Sequence, residues 1–245
     1  MRLGLALILA VTFPTVPDPE NATQATALIK KFEAAYRSSK TLRANFLERY
    51  FDNGREVRSE AGTAYFAKPG KMRWEYASPE ANLYLVDGKW SWFYVPGDHT
   101  VTRIRAKESS DSRTPLALLA GEMKVSRVCR SVNLDRSSKP TRPQGVVLRC
   151  NLQVNDEAVP TGLGTPSSPA SSRDSYALFE LNPENGELFR VLVVDPGGVQ
   201  VEFQFSNWEF DPHLEASKFK FLPSKGVAIV DGDLGGSSES HGRKP

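Results

Sequence analysis

Apolar residues first recur with a helical period. Ala25, Leu28, Ile29, Phe32 and Tyr36 fall at three- and four-residue steps, while Lys30, Lys31, Glu33 and Arg37 fill the opposite side. That spacing predicts an amphipathic helix, with Asn21 or Thr23 able to cap it. After Lys40 the period drops to two: Leu42, Ala44 and Phe46 alternate with Arg43 and Asn45. Further strands are expected at about 56–67, 71–77, 82–87, 89–94, 101–106, 124–134, 146–154, 176–182, 187–194 and 199–208. The alternation is clearest in Val146/Leu148/Cys150/Leu152/Val154 and in Val199/Val201/Phe203/Phe205. Asp52-Asn53-Gly54, Asp87-Gly88, Pro96-Gly97, Asn185-Gly186 and Pro196-Gly197-Gly198 supply turns between them. Such close turns make successive strands antiparallel, and about eleven strands in one meander are expected to curl.

A second, short helix interrupts the strands. Thr114-Pro115-Leu116-Ala117-Leu118-Leu119-Ala120-Gly121 opens with a cap and a proline and stops at a glycine. It is apolar nearly all round, so it must cover something. Between Asn155 and Arg173 the chain turns Pro/Ser/Gly/Thr-rich, which reads as a flexible insertion between two strands. The polar stretch Asp231 to Pro245 reads as a disordered tail. At the other end, Met1-Arg2 precedes the apolar run Leu3 to Phe13 and the stretch Pro14 to Pro19. This is the layout of a secretory signal peptide, a buried N-terminal strand being the other reading. The expected organisation is a signal peptide and proline-rich leader over 1–20, one domain over 21–230 with the 155–173 insertion, and a tail over 231–245.

Composition narrows the function classes. The 245 residues carry 31 basic and 29 acidic side chains, a net charge of +2, which excludes broad electrostatic capture of nucleic acid or anionic membrane. Cys129 and Cys150 are the only cysteines. In an exported chain, on neighbouring antiparallel strands, they suggest one disulfide, with two unpaired core thiols as the alternative.

Catalytic patterns are thin. His99, His213 and His241 are scattered, no Cys-x-x-Cys spacing exists, and there is no Gly-x-Ser-x-Gly elbow, phosphate loop or dinucleotide fingerprint. No enzyme, cofactor or metal is expected. Large apolar side chains on alternating strands stand out instead. Met72, Trp74 and Tyr76 share one face, and Trp90, Trp92 and Tyr94 share another. Leu83 with Leu85, and Val201 with Phe203 and Phe205, add further rows. They either fill a core or line a cavity that a strongly curled sheet encloses, with the two helices as its lid.

Gly62-Thr63-Ala64-Tyr65-Phe66-Ala67-Lys68-Pro69-Gly70-Lys71-Met72-Arg73-Trp74-Glu75-Tyr76, then Pro79, Leu85-Val86-Asp87-Gly88-Lys89 and Trp92-Phe93-Tyr94, resemble the outer-membrane lipoprotein carrier family, LolA. Thr114 to Leu119 and the segment Ala216 to Val227 are similar to later blocks of that family. The resemblance implies a mainly β fold, an unclosed antiparallel barrel of about eleven strands with helices covering the opening. It implies a monomeric periplasmic carrier that shields the acyl chains of lipoproteins. Such a carrier takes them from an inner-membrane lipoprotein-releasing ABC transporter to an outer-membrane receptor. A half-barrel that binds another lipid or glycolipid is the alternative. The family's lid-tethering arginine corresponds to Lys68, which lacks the planar guanidinium fork. The expected cavity and lid residues are Lys68, Met72, Trp74, Leu83, Leu85, Trp92, Tyr94, Leu116, Leu119, Phe203 and Phe205.

Overall fold

The computed structural model describes residues 19–106, 116–121, 124–153, 175–195 and 197–232. The leader, the 155–173 insertion and the tail beyond Gly232 lie outside the described residues. Helix α1 spans Pro19–Arg37. Twelve strands follow: β1 Thr41–Asp52, β2 Arg55–Ala67, β3 Lys71–Ser78, β4 Leu83–Val86, β5 Trp90–Val95, β6 Thr100–Arg105, β7 Cys129–Leu134, β8 Val146–Leu152, β9 Tyr176–Leu181, β10 Leu188–Val194, β11 Val199–Phe210 and β12 Ala228–Asp231. A short helix α2, Ala117–Ala120, lies between β6 and β7.

All twelve form one sheet in the order β12-β6-β5-β4-β3-β2-β1-β11-β10-β9-β8-β7. The chain starts in the middle, meanders out to β6, crosses through α2 to the far edge at β7, and meanders back until β11 pairs with β1. Every pairing is antiparallel except β12 with β6. The β1–β2 hairpin shows why the turns read so clearly. Asp52 pairs with Arg55, and both intervening residues have positive φ, 49° at Asn53 and 78° at Gly54. Asn-Gly is the dipeptide that adopts this geometry most cheaply.

The sheet curls tightly. β3 and β11 are three strand positions apart, about 14 Å on a flat sheet, yet the rings of Trp74 and Phe203 stand 5.4 Å apart. Both edges stay open, so this is the expected unclosed half-barrel with one more strand than expected.

Three expectations need correction. Asn21 lies inside α1 and caps nothing there; its side-chain amide instead accepts from Leu134 N–H at 2.8 Å and donates to Leu134 C=O at 3.4 Å. The first part of the expected 124–134 strand is a 3-10 turn, Val125–Arg127. Asp231 belongs to strand β12, not to a disordered tail, and its carboxylate pairs with Arg103.

The convex side of the sheet is also covered. Over β3 to β6, the chain from Leu214 to Val227 lays Phe219 and Phe221 against Tyr65, Leu85, Trp92 and Val101. Over the other half, a buried ion chain runs among buried apolar residues such as Val147 and Leu178. Arg190 Nε donates to Glu180 at 3.0 Å, and its Nη1 to Glu202 at 3.1 Å. Glu180, fully buried, also accepts from the backbone N–H groups of Thr141 and Arg142, both at 2.8 Å. Arg49 closes the chain on Glu202.

Cys129 and Cys150 form a disulfide between β7 and β8, with Cα atoms 5.3 Å apart. They are diagonal neighbours: Cys150 faces Val132, and Cys129 faces Leu152 across a bulge. The bond closes a segment with a sequence separation of 21 and ties the edge strand to the sheet. Replacing both cysteines by serine is expected to cost about 3 kcal/mol, read as a lower urea midpoint that reductant no longer moves. An unchanged midpoint would show that pairing with β8 and packing against α1 hold β7 without the bond.

Candidate functional site

The concave face is an aromatic surface built by cross-strand register. Partners across a ladder share a face, so Met72 and Trp74 on β3 select Val86 and Tyr84 on β4 and Phe66 and Ala64 on β2. Leu42, Ala44 and Phe46 from β1 and Val201, Phe203 and Phe205 from β11 complete it. Trp74 is wholly buried at its centre, with ring centroids 4.8 Å from Phe46, 5.7 Å from Phe66 and 6.2 Å from Phe205. Side chains fill the space beside it. One carboxylate interrupts the apolar surface: Glu48, fully buried, accepts from the hydroxyls of Tyr50 and Tyr76, each at 2.5 Å.

Two helices roof this face. Helix α1 sends Ala25, Leu28, Phe32 and Tyr36 inward, as its period predicts, and α2 adds Leu118 and Leu119 with Leu116 just before it. Most of the polar contacts that hold the roof sit around its margin. At the far end of α1, Lys68 Nζ donates to the carbonyls of Tyr36 at 2.6 Å and Arg37 at 3.0 Å. A helix C-terminus leaves such carbonyls unpaired, and a cation there is favoured by the helix dipole. Burial holds the Lys68 ammonium below the usual lysine range; Asp211 opposes that and Arg37 reinforces it.

Tyr36 is anchored twice. Its hydroxyl accepts from Leu188 N–H at 2.9 Å, and its ring packs edge-on against Trp208 with centroids 5.1 Å apart. Burial raises that phenol far above its ordinary value, so it remains a neutral hydroxyl. Midway along α1, Glu33 accepts from Val125 N–H at 2.8 Å, and Lys31 donates to Pro183 C=O at 2.8 Å. The helix backbone rests directly on the turn at Gly186. A Cβ there would lie 2.7 Å from Phe32 N, and the φ of +77° also disfavours any other residue. Helix α2 is hung from the β2–β3 turn by Gly70 N–H donating to Ala120 C=O at 2.7 Å. Where α1 meets the end of β7 and the start of β8, an apolar recess of about 290 Å³ opens, lined by Leu28, Leu134, Val146 and Pro183 among others.

The expected site residues divide between the two faces. Lys68, Met72, Trp74, Leu116, Leu119, Phe203 and Phe205 come together at the roofed concave face. Leu83, Leu85, Trp92 and Tyr94 do not: they belong to the convex cluster under Phe219 and Phe221. The reason is parity. Leu85 faces Arg73, one residue away from Met72 and Trp74, and Trp92 faces Leu85. Their place on the concave face is taken by Tyr84, Val86 and Phe93. Carrying the Met72/Trp74 parity through the β3–β4 connection to Tyr84 and Val86, and from there across the Asp87-Gly88 hairpin to Phe93, would have identified them. Among the described residues, no group of three or more His, Cys, Asp or Glu is placed to hold a metal ion.

Comparison with known proteins agrees with this architecture. The family model of outer membrane lipoprotein carrier protein LolA matches residues 37–147. An outer-membrane lipoprotein carrier protein of Chromobacterium violaceum is 30% identical over 211 residues, 86% of this chain and 90% of the relative. Another, from Xanthomonas campestris, is 32% identical over 198 residues, 79% of this chain and 83% of the relative. In three dimensions, an uncharacterized conserved protein from Thermus thermophilus superposes with a TM-score of 0.51 at 13% identity, covering 84% of this chain and 98% of that one. That likeness shows a shared fold. Near-full-length sequence relatives, the matched family model and the helix-roofed half-barrel converge: this chain belongs to the outer-membrane lipoprotein carrier family.

Proposed function

We propose that the protein is a periplasmic carrier that shields the acyl chains of lipoproteins between an inner-membrane ABC transporter and an outer-membrane receptor. The observation that carries this reading is the pairing of an apolar, aromatic-lined concave face with a roof most of whose polar fastenings lie along its margin. Most of those fastenings meet water when the roof lifts; the buried exception is the Tyr36 hydroxyl on Leu188 N–H, whose loss adds to the work of opening. Binding is then an exchange. Each acyl methylene withdrawn from water contributes about 0.8 kcal/mol, and the roof helices give up part of their own contacts to make room. The resulting net affinity is moderate, which suits a protein that must also let go. No bond is made or broken in the cargo. Release is a transfer to a better-fitting apolar site, since an acyl chain does not escape unaided into water at a useful rate.

The direct test is depletion of the protein in the cell. Lipoproteins destined for the outer membrane are then expected to accumulate at the inner membrane; unchanged sorting would refute the carrier role. Lys68 gives a sharper handle. Lys68→Leu removes two charged hydrogen bonds at the end of α1, which should ease opening by about 1–2 kcal/mol. An easily opened roof costs less to displace, so cargo should be held roughly tenfold more tightly and handed over correspondingly more slowly. Lys68→Arg should retain the latch through its fork of donors. Transfer of a fluorescent lipopeptide to purified receptor would measure both, and equal rates for Lys68→Leu and the unaltered protein would remove Lys68 from the mechanism.

A further inference from the structure

Outside the roofed face, the convex end of β5 and β6 carries cations gathered around one tryptophan. Trp90 faces Arg105 across the ladder, and Trp92 faces Arg103. The guanidinium carbons of Arg103 and Arg105 lie 4.5 and 4.8 Å from the Trp90 ring centroid, and the Lys89 ammonium lies 5.8 Å from it. Two carboxylates stand nearby, and both are engaged. Asp231 takes Arg103, while Asp87 accepts from the N–H groups of Lys89 and Trp90 and from the Trp92 indole. Arg105 and Lys89, both exposed, meet the indole and no carboxylate among the described residues.

We propose that this Trp90-centred patch docks the carrier on an anionic phospholipid surface. The whole chain is nearly neutral, so the contact is local: cations to meet phosphates, and an indole to sit at headgroup depth, where tryptophan is enriched. A lipid surface fits better than a folded partner because mobile headgroups can collect around a fixed set of cations without matching its shape. Ile229, 44% exposed on the edge strand beside Val101, adds apolar area on the same face. Position gives the contact a use. The patch lies where β6 leaves the sheet, with Ala106 N–H bonded to Lys89 C=O, and the next described residue is Leu116 of the roof. Docking there brings the roof end of the half-barrel to the membrane.

Sedimentation of the full chain with vesicles tests this. Vesicles of phosphatidylethanolamine containing phosphatidylglycerol should bind at low salt at least about tenfold better than vesicles of phosphatidylcholine alone, and lose the protein at high salt. The Lys89→Glu/Arg105→Glu double variant changes two exposed side chains and should keep its melting temperature, yet lose about tenfold or more of that binding. Equal partition onto both vesicles, no partition, or binding that survives the double variant would overturn the proposal. Lipopeptide uptake measured without vesicles is expected to be the same in the variant, so failure of the docking surface and failure of the carrier reading give different results.

Discussion

Trp74→Ala is expected to lower stability by about 3–5 kcal/mol and to open a hollow under the roof. The indole is wholly buried and touches aromatic rings from β1, β2 and β11, so no single neighbour can fold into its place. Deleting a buried aromatic removes its transfer free energy and leaves a void that the surroundings fill only in part. A domain of this size tolerates such a loss and remains folded at low temperature. Urea unfolding would measure the cost. The hollow has its own signature: a dye that fluoresces in apolar surroundings should bind the variant more strongly than the parent, and an acyl ligand should return part of the lost stability. A cost under about 1 kcal/mol, with no gain in dye binding, would mean that the interior is loosely filled and the roof is not shut against the sheet.

Arg190→Leu should be equally severe, for a different reason. This guanidinium lies between Glu180 and Glu202 with 6% of its surface exposed, and those two residues are buried as well. Removing the cation leaves two carboxylates facing each other across β10 with little water to share, a change worth about 3–5 kcal/mol. Glu202 keeps Arg49 and Glu180 keeps the Thr141 and Arg142 amides, so the protein is weakened but not abolished. Replacing Arg190, Glu180 and Glu202 together by leucine or methionine should recover only part of the loss: an apolar triad carries no desolvation penalty, but the Thr141 and Arg142 amides and Arg49 lose their acceptors. If Arg190→Leu alone costs less than about 1 kcal/mol by urea unfolding, the chain is solvated and contributes little to the fold.

Most of the sheet is visible in the residue pattern because its strands are long, alternate strictly and end in turns that demand particular residues. Asn53-Gly54 forces a hairpin wherever it stands between two such runs. β12 escaped because Ala228–Asp231 is short and exposed along its whole length. A strand with no buried face carries no alternation, and only its parallel pairing with β6 defines it. The division of the site residues was hidden more subtly. Leu83, Leu85, Trp92 and Tyr94 are as apolar as a cavity wall because they do line a core, the one under Phe219 and Phe221. Hydrophobicity cannot tell one buried face from another; only register can. The Lys68 contact was legible only through the family resemblance, as the position of a lid-tethering cation. That it reaches the last carbonyls of α1 depends on how the helix lies across the sheet, which no local pattern encodes.

The amide of Asn21 occupies the N–H and C=O of Leu134, one end of the unpaired border of β7. It acts there as a single rung of a missing neighbour. On the proposed carrier reading, that rung leaves when α1 swings aside to admit cargo, and an open border is a template on which another chain can crystallise into a ladder. Each such opening would expose sticky backbone as well as greasy interior, so on that reading the safest moment to gape is while a docking partner already stands over the gap.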